Sequence, residues 1–313
     1  MVNLNGFGLV YGSRTKILGW HEGLERPVTL RALEPDSPKY HITTVAFIEG
    51  ILYDAGYEGV VRETFSCKRI GKTQGAPIFG ISKFNGQLVA VAERPSGELN
   101  TGRVYFVESD KTIVNLPIEH PIKQPRVGPL LHRGDSLGLT INKDGMYVNS
   151  ENITKMKSLE KGDSYLEKIT DYLADFTYLT SNDERAFVVY YHSEDTNPDG
   201  TELILLPENK RLAFWEMGEK GKPFGYPCMV TMIGNKLIFG GESFGRDYLE
   251  PHKRNLYSVD ITDEMLKSEK GLKVSPQLLL EHAFEDADVY GKGNPISAVP
   301  QDYLDNIIKQ LIQ

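Results

Sequence analysis

A short apolar run behind a turn recurs six times along this chain, at spacings of roughly 40 to 50 residues. The first three copies are FGLVYGS at 7–13 after Asn5-Gly6, ILYDAGY at 51–57 after Glu49-Gly50, and QLVAVAE at 87–93 after Asn85-Gly86. The next three are SLGLTIN at 136–142 after Gly134-Asp135, AFVVYYH at 186–192 after Asn182-Asp183, and KLIFGGE at 236–242 after Gly234-Asn235. Gly and Asn before a β-rich run are hairpin signals, because both tolerate the positive φ of a tight turn. A period of about 45 residues with several short strands per unit is the mark of a β-propeller. The competing readings are a two-sheet β-sandwich or two smaller β domains.

A second pattern runs in phase with the first. A short apolar strand precedes each turn, and four of these strands open on proline: Pro77, Pro125, Pro227 and Pro295. Proline suits the first residue of a strand, where its missing N–H removes no ladder bond. The other two copies open on His41 (HITTVAF) and Asp175 (DFTYLT). Third strands follow the hairpins at 17–21, 60–65, 103–108, 146–150, 202–206 and 256–261. Fourth strands follow at 28–33, 112–116, 211–217 and 277–282, with fainter ones around 68–70 and 153–157. The count is six blades of about four strands, with five or seven also compatible.

The chain opens on a second strand and nearly closes on a first strand, PISAV at 295–299. Residues 1–34 and 293–300 therefore combine into one composite blade, which removes the open edges of an unclosed ring. The tail 301–313 reads as an amphipathic helix, with Leu304, Ile307, Ile308, Leu311 and Ile312 at helical spacing. Two further helices are expected over 158–173 and 262–267. With no Gly/Ser-rich or low-complexity linker, residues 1–313 are expected to form a single domain.

A net charge of −8 and the lack of any Lys/Arg run argue against nucleic acid as a partner. No stretch reaches the roughly 18 apolar residues of a membrane span, and MVNLNGFGLV lacks the regions of a signal peptide. The expectation is a cytoplasmic protein. Cys67 and Cys228 are solitary thiols outside any CxxC.

One blade carries a family resemblance. GNKLIFGGESFG…RNLYSVDI at 234–261 resembles a kelch-type blade, with a glycine pair after an apolar run, then an aromatic and a Leu-Tyr-x-x-Asp strand. The WD dipeptide of WD40 blades is absent. The resemblance implies a propeller and brings no active site with it.

In a propeller, first strands start and second strands end on the same face of the disc, so those positions converge on the channel mouth, where ligands of closed β structures bind. The seventh residues of the six runs are Ser13, Tyr57, Glu93, Asn142, His192 and Glu242, all polar. His41, Asp175 and Arg126 join them from the first strands. The loop 242–255 adds Arg246, Tyr248 and His252, suited to binding a carboxylate or phosphate and to stacking.

Two functions fit this set. One is a non-catalytic propeller binding a small molecule, carbohydrate or protein at the mouth. The other is a carbohydrate-active hydrolase or lyase, with Glu93 and Glu242, or either of them with Asp175, as acid and base and His192 as a general base. Glu93, His192 and Glu242 are also ligand types for a divalent transition metal, and Asn142 for a harder ion. HxxxH, HExxH and EF-hand patterns are absent, and no cofactor is expected. GxSxG, P-loop and post-strand GxGxxG motifs are absent too, which places acyl transfer, NTP hydrolysis and dinucleotide redox chemistry behind the other two.

Overall fold

The computed structural model describes residues 6–12, 16–32, 42–73, 75–93, 101–117, 137–149, 153–157, 165–170, 176–191, 200–215, 226–242, 254–283 and 296–312. They form six small antiparallel sheets in a ring, a six-bladed β-propeller. In chain order, β1 (Phe7–Gly12), β2 (Lys16–Trp20) and β3 (Val28–Ala32) belong to blade 1. Blade 2 is β4 (Ile42–Ile48), β5 (Ile51–Gly56), β6 (Val60–Glu63) and β7 (Arg69–Lys72). Blade 3 is β8 (Ile78–Phe84), β9 (Gln87–Glu93), β10 (Thr101–Phe106) and β11 (Lys111–Pro117). Blade 4 is β12 (Gly138–Asn142), β13 (Gly145–Asn149), β14 (Ile153–Lys157) and β15 (Tyr165–Thr170). Blade 5 is β16 (Phe176–Ser181), β17 (Ala186–Tyr191), β18 (Thr201–Leu206) and β19 (Lys210–Trp215). Blade 6 holds β20 (Tyr226–Ile233), β21 (Lys236–Glu242) and β22 (Arg254–Asp260). A short helix α1 (Asp263–Lys267) and β23 (Leu272–Lys273) come before its outer strand β24 (Gln277–Leu280). The chain then returns to blade 1 as β25 (Ile296–Pro300), followed by helix α2 (Gln301–Ile312).

The closure expected from the two termini is present. β25 pairs antiparallel with β1 from Phe7↔Pro300 to Tyr11↔Ile296, giving blade 1 the order β25-β1-β2-β3. The first strands β25, β4, β8, β12, β16 and β20 each touch the next, closing the inner ring. Hydroxyls tie these strands together. Phe47 N–H donates to Ser297 Oγ at 2.9 Å, Thr43 donates to the Ile78 carbonyl, and Ser181 Oγ donates to the Ile141 carbonyl at 3.0 Å. Such bonds satisfy backbone groups that an inner strand edge leaves unpaired.

Six apolar clusters fill the six gaps between blades. Leu52 meets Val10 and Ile17 between blades 1 and 2; Tyr53 meets Ile78 between 2 and 3; Val91 meets Val148 between 3 and 4. Tyr147 meets Val188 between blades 4 and 5, Phe187 meets Phe239 between 5 and 6, and Ile238 meets Leu9 between 6 and 1. Each blade buries residues on both faces, so its middle strands read as near-continuous apolar runs. A charged pair enters this core: Asp54, 2% exposed, receives Arg31 Nη1 of blade 1 at 2.8 Å. Burial still pushes the Asp54 carboxyl above its usual value, against the pull of Arg31.

All six blades share a register shift between the third and fourth strands: at Ile17/Leu18, Val61/Arg62, Val104/Tyr105, Ile153/Thr154, Leu203/Ile204 and Leu256/Tyr257. A bulge there increases twist and turns the outer edge away from pairing with another chain. Blade 5 gains a further device. β23, from the segment between β22 and β24, lies parallel to β19, and Arg211 Nε donates to the Lys270 carbonyl at 3.0 Å.

Blade 4 departs from the sequence expectation. SLGLTIN at 136–142 supplies the first strand rather than the second, and MYVNS supplies the second rather than the third. The hairpin turn is Lys143-Asp144, where Asn142 Oδ1 accepts the Asp144 N–H at 2.9 Å in an Asx turn. Gly134-Asp135 mimicked the hairpin signal, and both it and the strand expected at Pro125 lie outside the described residues. The helix expected over 158–173 is corrected as well: residues 165–170 form β15, held by pairs such as Glu167↔Lys155. Pairing along an outer blade edge overrides a helix-like spacing of Leu and Ile. The helices expected at 262–267 and 301–313 form as α1 and α2.

Candidate functional site

The two ends of the disc differ in construction. At the hairpin end, the first and second strands of blades 2 to 6 join through short turns. Glu49-Gly50 and Asn85-Gly86 both have positive φ at each residue, with glycine at the second. Asn182 caps its own turn, accepting from Glu184 and Arg185 N–H, and its Nδ2 donates to the Gly234 carbonyl of blade 6 at 2.8 Å. Lys83 pairs with Glu49 across blades 3 and 2. At the mouth end, where first strands start and second strands end, the longer connections fall largely outside the described residues.

Of the candidate residues, Tyr57, Glu93 and Glu242 lie at the mouth end of their second strands. Tyr57 follows β5 directly, half-buried, with its ring edge-on to Phe79 of blade 3 at a centroid distance of 6.4 Å. Its corner is firmly built. Thr73 N–H donates to the Gly59 carbonyl at 2.6 Å, Ala76 N–H donates to Thr73 Oγ1 at 2.9 Å, and Arg62 pairs with Glu58. Glu93 ends β9 opposite Gly102, and Glu242 ends β21 opposite Tyr226 on one side and Arg254 on the other. Glu93 and Glu242 belong to blades 3 and 6, which face each other across a six-membered ring.

Asn142 is not among them. It ends a first strand, at the hairpin turn, and so lies at the opposite end of the disc. Counted from the true hairpin, the seventh residue of blade 4 is Glu151, which sequence reasoning missed; the Asx-turn pattern Asn142-Lys143-Asp144-Gly145 was the signal that could have found it. Glu151, Ser13, His41, Arg126, Asp175, His192, Arg246, Tyr248 and His252 lie outside the described residues.

Facing adds a second correction. In blades 2, 3, 4 and 6 the third residue of the second strand packs forward on the next blade: Tyr53, Val89, Tyr147 and Ile238. In blade 5 the third residue, Val188, packs back on blade 4, while Phe187 and Val189 pack forward on blade 6. The phase there is displaced by one residue, so the register position matching Tyr57 and Glu93 is Tyr191, one before His192. Blade 1 is displaced likewise, since Leu9 packs back on blade 6 and Val10 forward on blade 2.

First strands add features with no sequence signal. β4, β8 and β20 each carry a register shift near the mouth, leaving Thr43, Phe79 and Cys228 unpaired across Ile42/Thr44, Ile78/Gly80 and Pro227/Met229. Bulges of this kind re-aim a side chain beside a site. Among the described residues, no group of three or more His, Cys, Asp or Glu comes together to hold a metal ion, and no helix is long and apolar enough to cross a membrane.

Compared with known proteins, the chain matches no family model and no curated protein, so the kelch resemblance of blade 6 finds no support there. The six-bladed β-propeller, a fold that serves generally as a binding scaffold, is the level at which the chain is classified.

Proposed function

We propose that this protein binds a ligand or partner at the channel mouth and performs no catalysis of its own there. The observation that carries this reading is the placement of Glu93 and Glu242 on opposed blades. Both end second strands, about 4.8 Å further from the axis than the first strands. A carboxylate pair cleaving a glycosidic bond needs its groups roughly 5–10 Å apart, whereas these two backbones are separated by the channel and two extra strand spacings. Residues placed on opposed blades in this way suit contact with two sides of one ligand. The aromatic corner of Tyr57 and Phe79 offers an apolar, stackable wall on a third side. The compartment expected from the sequence is the cytoplasm.

A saturation-transfer NMR screen of monosaccharides, sugar acids, nucleotides and short peptides tests the reading. Any hit should weaken about tenfold or more on Tyr57→Ala, Glu93→Gln or Glu242→Gln, equivalent to about 1.4 kcal/mol each. It should be unchanged by Asn142→Ala, at the other end of the disc. Affinity lost only with Asn142→Ala, or turnover of a bound sugar, refutes the proposal.

A further inference from the structure

β25 and α2 form one continuous strand–helix module, and blade 1 presents a matching groove. The β1 edge takes the strand through the pairs Phe7↔Pro300 to Tyr11↔Ile296. Directly beyond it, Gln301 N–H donates to the Gly6 carbonyl at 2.6 Å. Leu304, fully buried, then enters a pit made possible by two glycines. A Cβ on Gly8 would lie 2.4 Å from Leu304 Cδ2, and one on Gly19 would lie 2.7 Å from Cδ1, inside any real contact. Around the pit, His21 Nε2 meets Asp305 Oδ1 at 3.0 Å, while Gly23 N–H donates to His21 Nδ1 at 3.2 Å. Tyr303 packs edge-on against Phe47 of blade 2, with centroids 4.9 Å apart.

The groove thus combines two modes of peptide recognition, strand addition to a sheet edge and an apolar helix face in a groove. Its complement is specific: a knob for the pit, a carboxylate for His21 and a ring for Phe47. We propose that this groove also accepts the module in trans, the partner being a second copy of this chain. Two copies exchange Ile296–Ile312, each closing the other's ring. The contacts are the same in cis and in trans, so the balance between closed monomer and exchanged dimer is set by effective concentration.

The test uses the wild-type full chain and a fluorescein-labelled peptide of residues 296–313. The chain is taken to its urea unfolding midpoint with a tenfold excess of peptide and returned to buffer, and in parallel is co-expressed with the same segment fused to a carrier protein. The expected result is peptide retained on the chain through gel filtration, with the Leu304→Asp peptide retained at least tenfold less. Without peptide, light scattering should show a dimer fraction that grows with chain concentration during refolding and shrinks when the peptide is added. Absence of capture in both arms overturns the proposal, as does capture indifferent to Leu304→Asp or a chain that stays monomeric at every concentration.

Discussion

The hairpin end and the mouth end of this ring are built from the same strands, yet they use them differently. At the hairpin end neighbouring blades are fastened to one another: Asn182 reaches the Gly234 carbonyl, Lys83 reaches Glu49, and Tyr303 of α2 packs on Phe47 of blade 2. At the mouth end, three first strands bulge and the second strands finish on residues of varied chemistry, such as Tyr57, Glu93 and Glu242. The contrast separates two jobs along one set of strands. The hairpin end ties blade to blade through turn residues, while the mouth end, though Thr43 still joins blade 2 to the Ile78 carbonyl of blade 3, varies in chemistry at fixed positions.

If that division holds, substitutions should sort by end. Deleting residues 293–313 removes β25 and α2 and leaves the β1 edge unpaired. The expected loss is on the scale of a whole domain's stability, about 5–15 kcal/mol, seen as loss of cooperative urea unfolding. A truncated chain with unchanged midpoint and slope would break the comparison at its strongest point. Asn182→Ala removes a turn cap and an interblade bond, and should cost about 1 kcal/mol in chemical denaturation. Glu93→Gln and Glu242→Gln, at the other end, should stay within about 0.5 kcal/mol of wild type while lowering ligand affinity. A large loss of stability in either would recast that carboxylate as part of the framework.

The smallest effect at neutral pH is expected midway between the ends, at Tyr147. Among the described residues its buried hydroxyl has no hydrogen-bond partner, so Tyr147→Phe should be neutral or slightly stabilising. Burial pushes the Tyr147 hydroxyl up to about 12, against about 10 in an unfolded chain. Between these values the folded state keeps a proton that the unfolded state releases. The contribution is therefore complete below pH 10 and is lost as pH rises through about 12. Alkaline denaturation curves of wild type and Tyr147→Phe should diverge above pH 10, and superimposable curves would rule out this titration.

Much of the ring was legible because two-residue turns and β-rich runs are local signals. Glu49-Gly50, Asn85-Gly86 and Gly234-Asn235 each sit in the turn their residues imply. Blade 4 was misread because Gly134-Asp135 has the same local chemistry without being its hairpin. The true turn, Lys143-Asp144, depends on the Asn142 side chain rather than on a Gly-Asn pair. The site was less legible than the fold for a related reason. Which face of a second strand meets the next blade is decided by packing between blades, as Val188 and Tyr53 show by packing in opposite senses. A period of two in the sequence cannot report that choice, and bulges such as the one at Phe79 leave no composition behind them.

The pairing of β25 with β1 also sets a timetable for a chain made from its N-terminus. About 280 residues separate Gly12 from Ile296, and at roughly 5–20 residues per second a ribosome needs about 15–60 s to deliver the partner strand. During that interval the inner edge of β1 has no native mate, although blades 2 to 6 are already emerging beside it. Ring closure thus waits until blades 2 to 6 have been made, and any chaperone contact this protein requires is expected at β1.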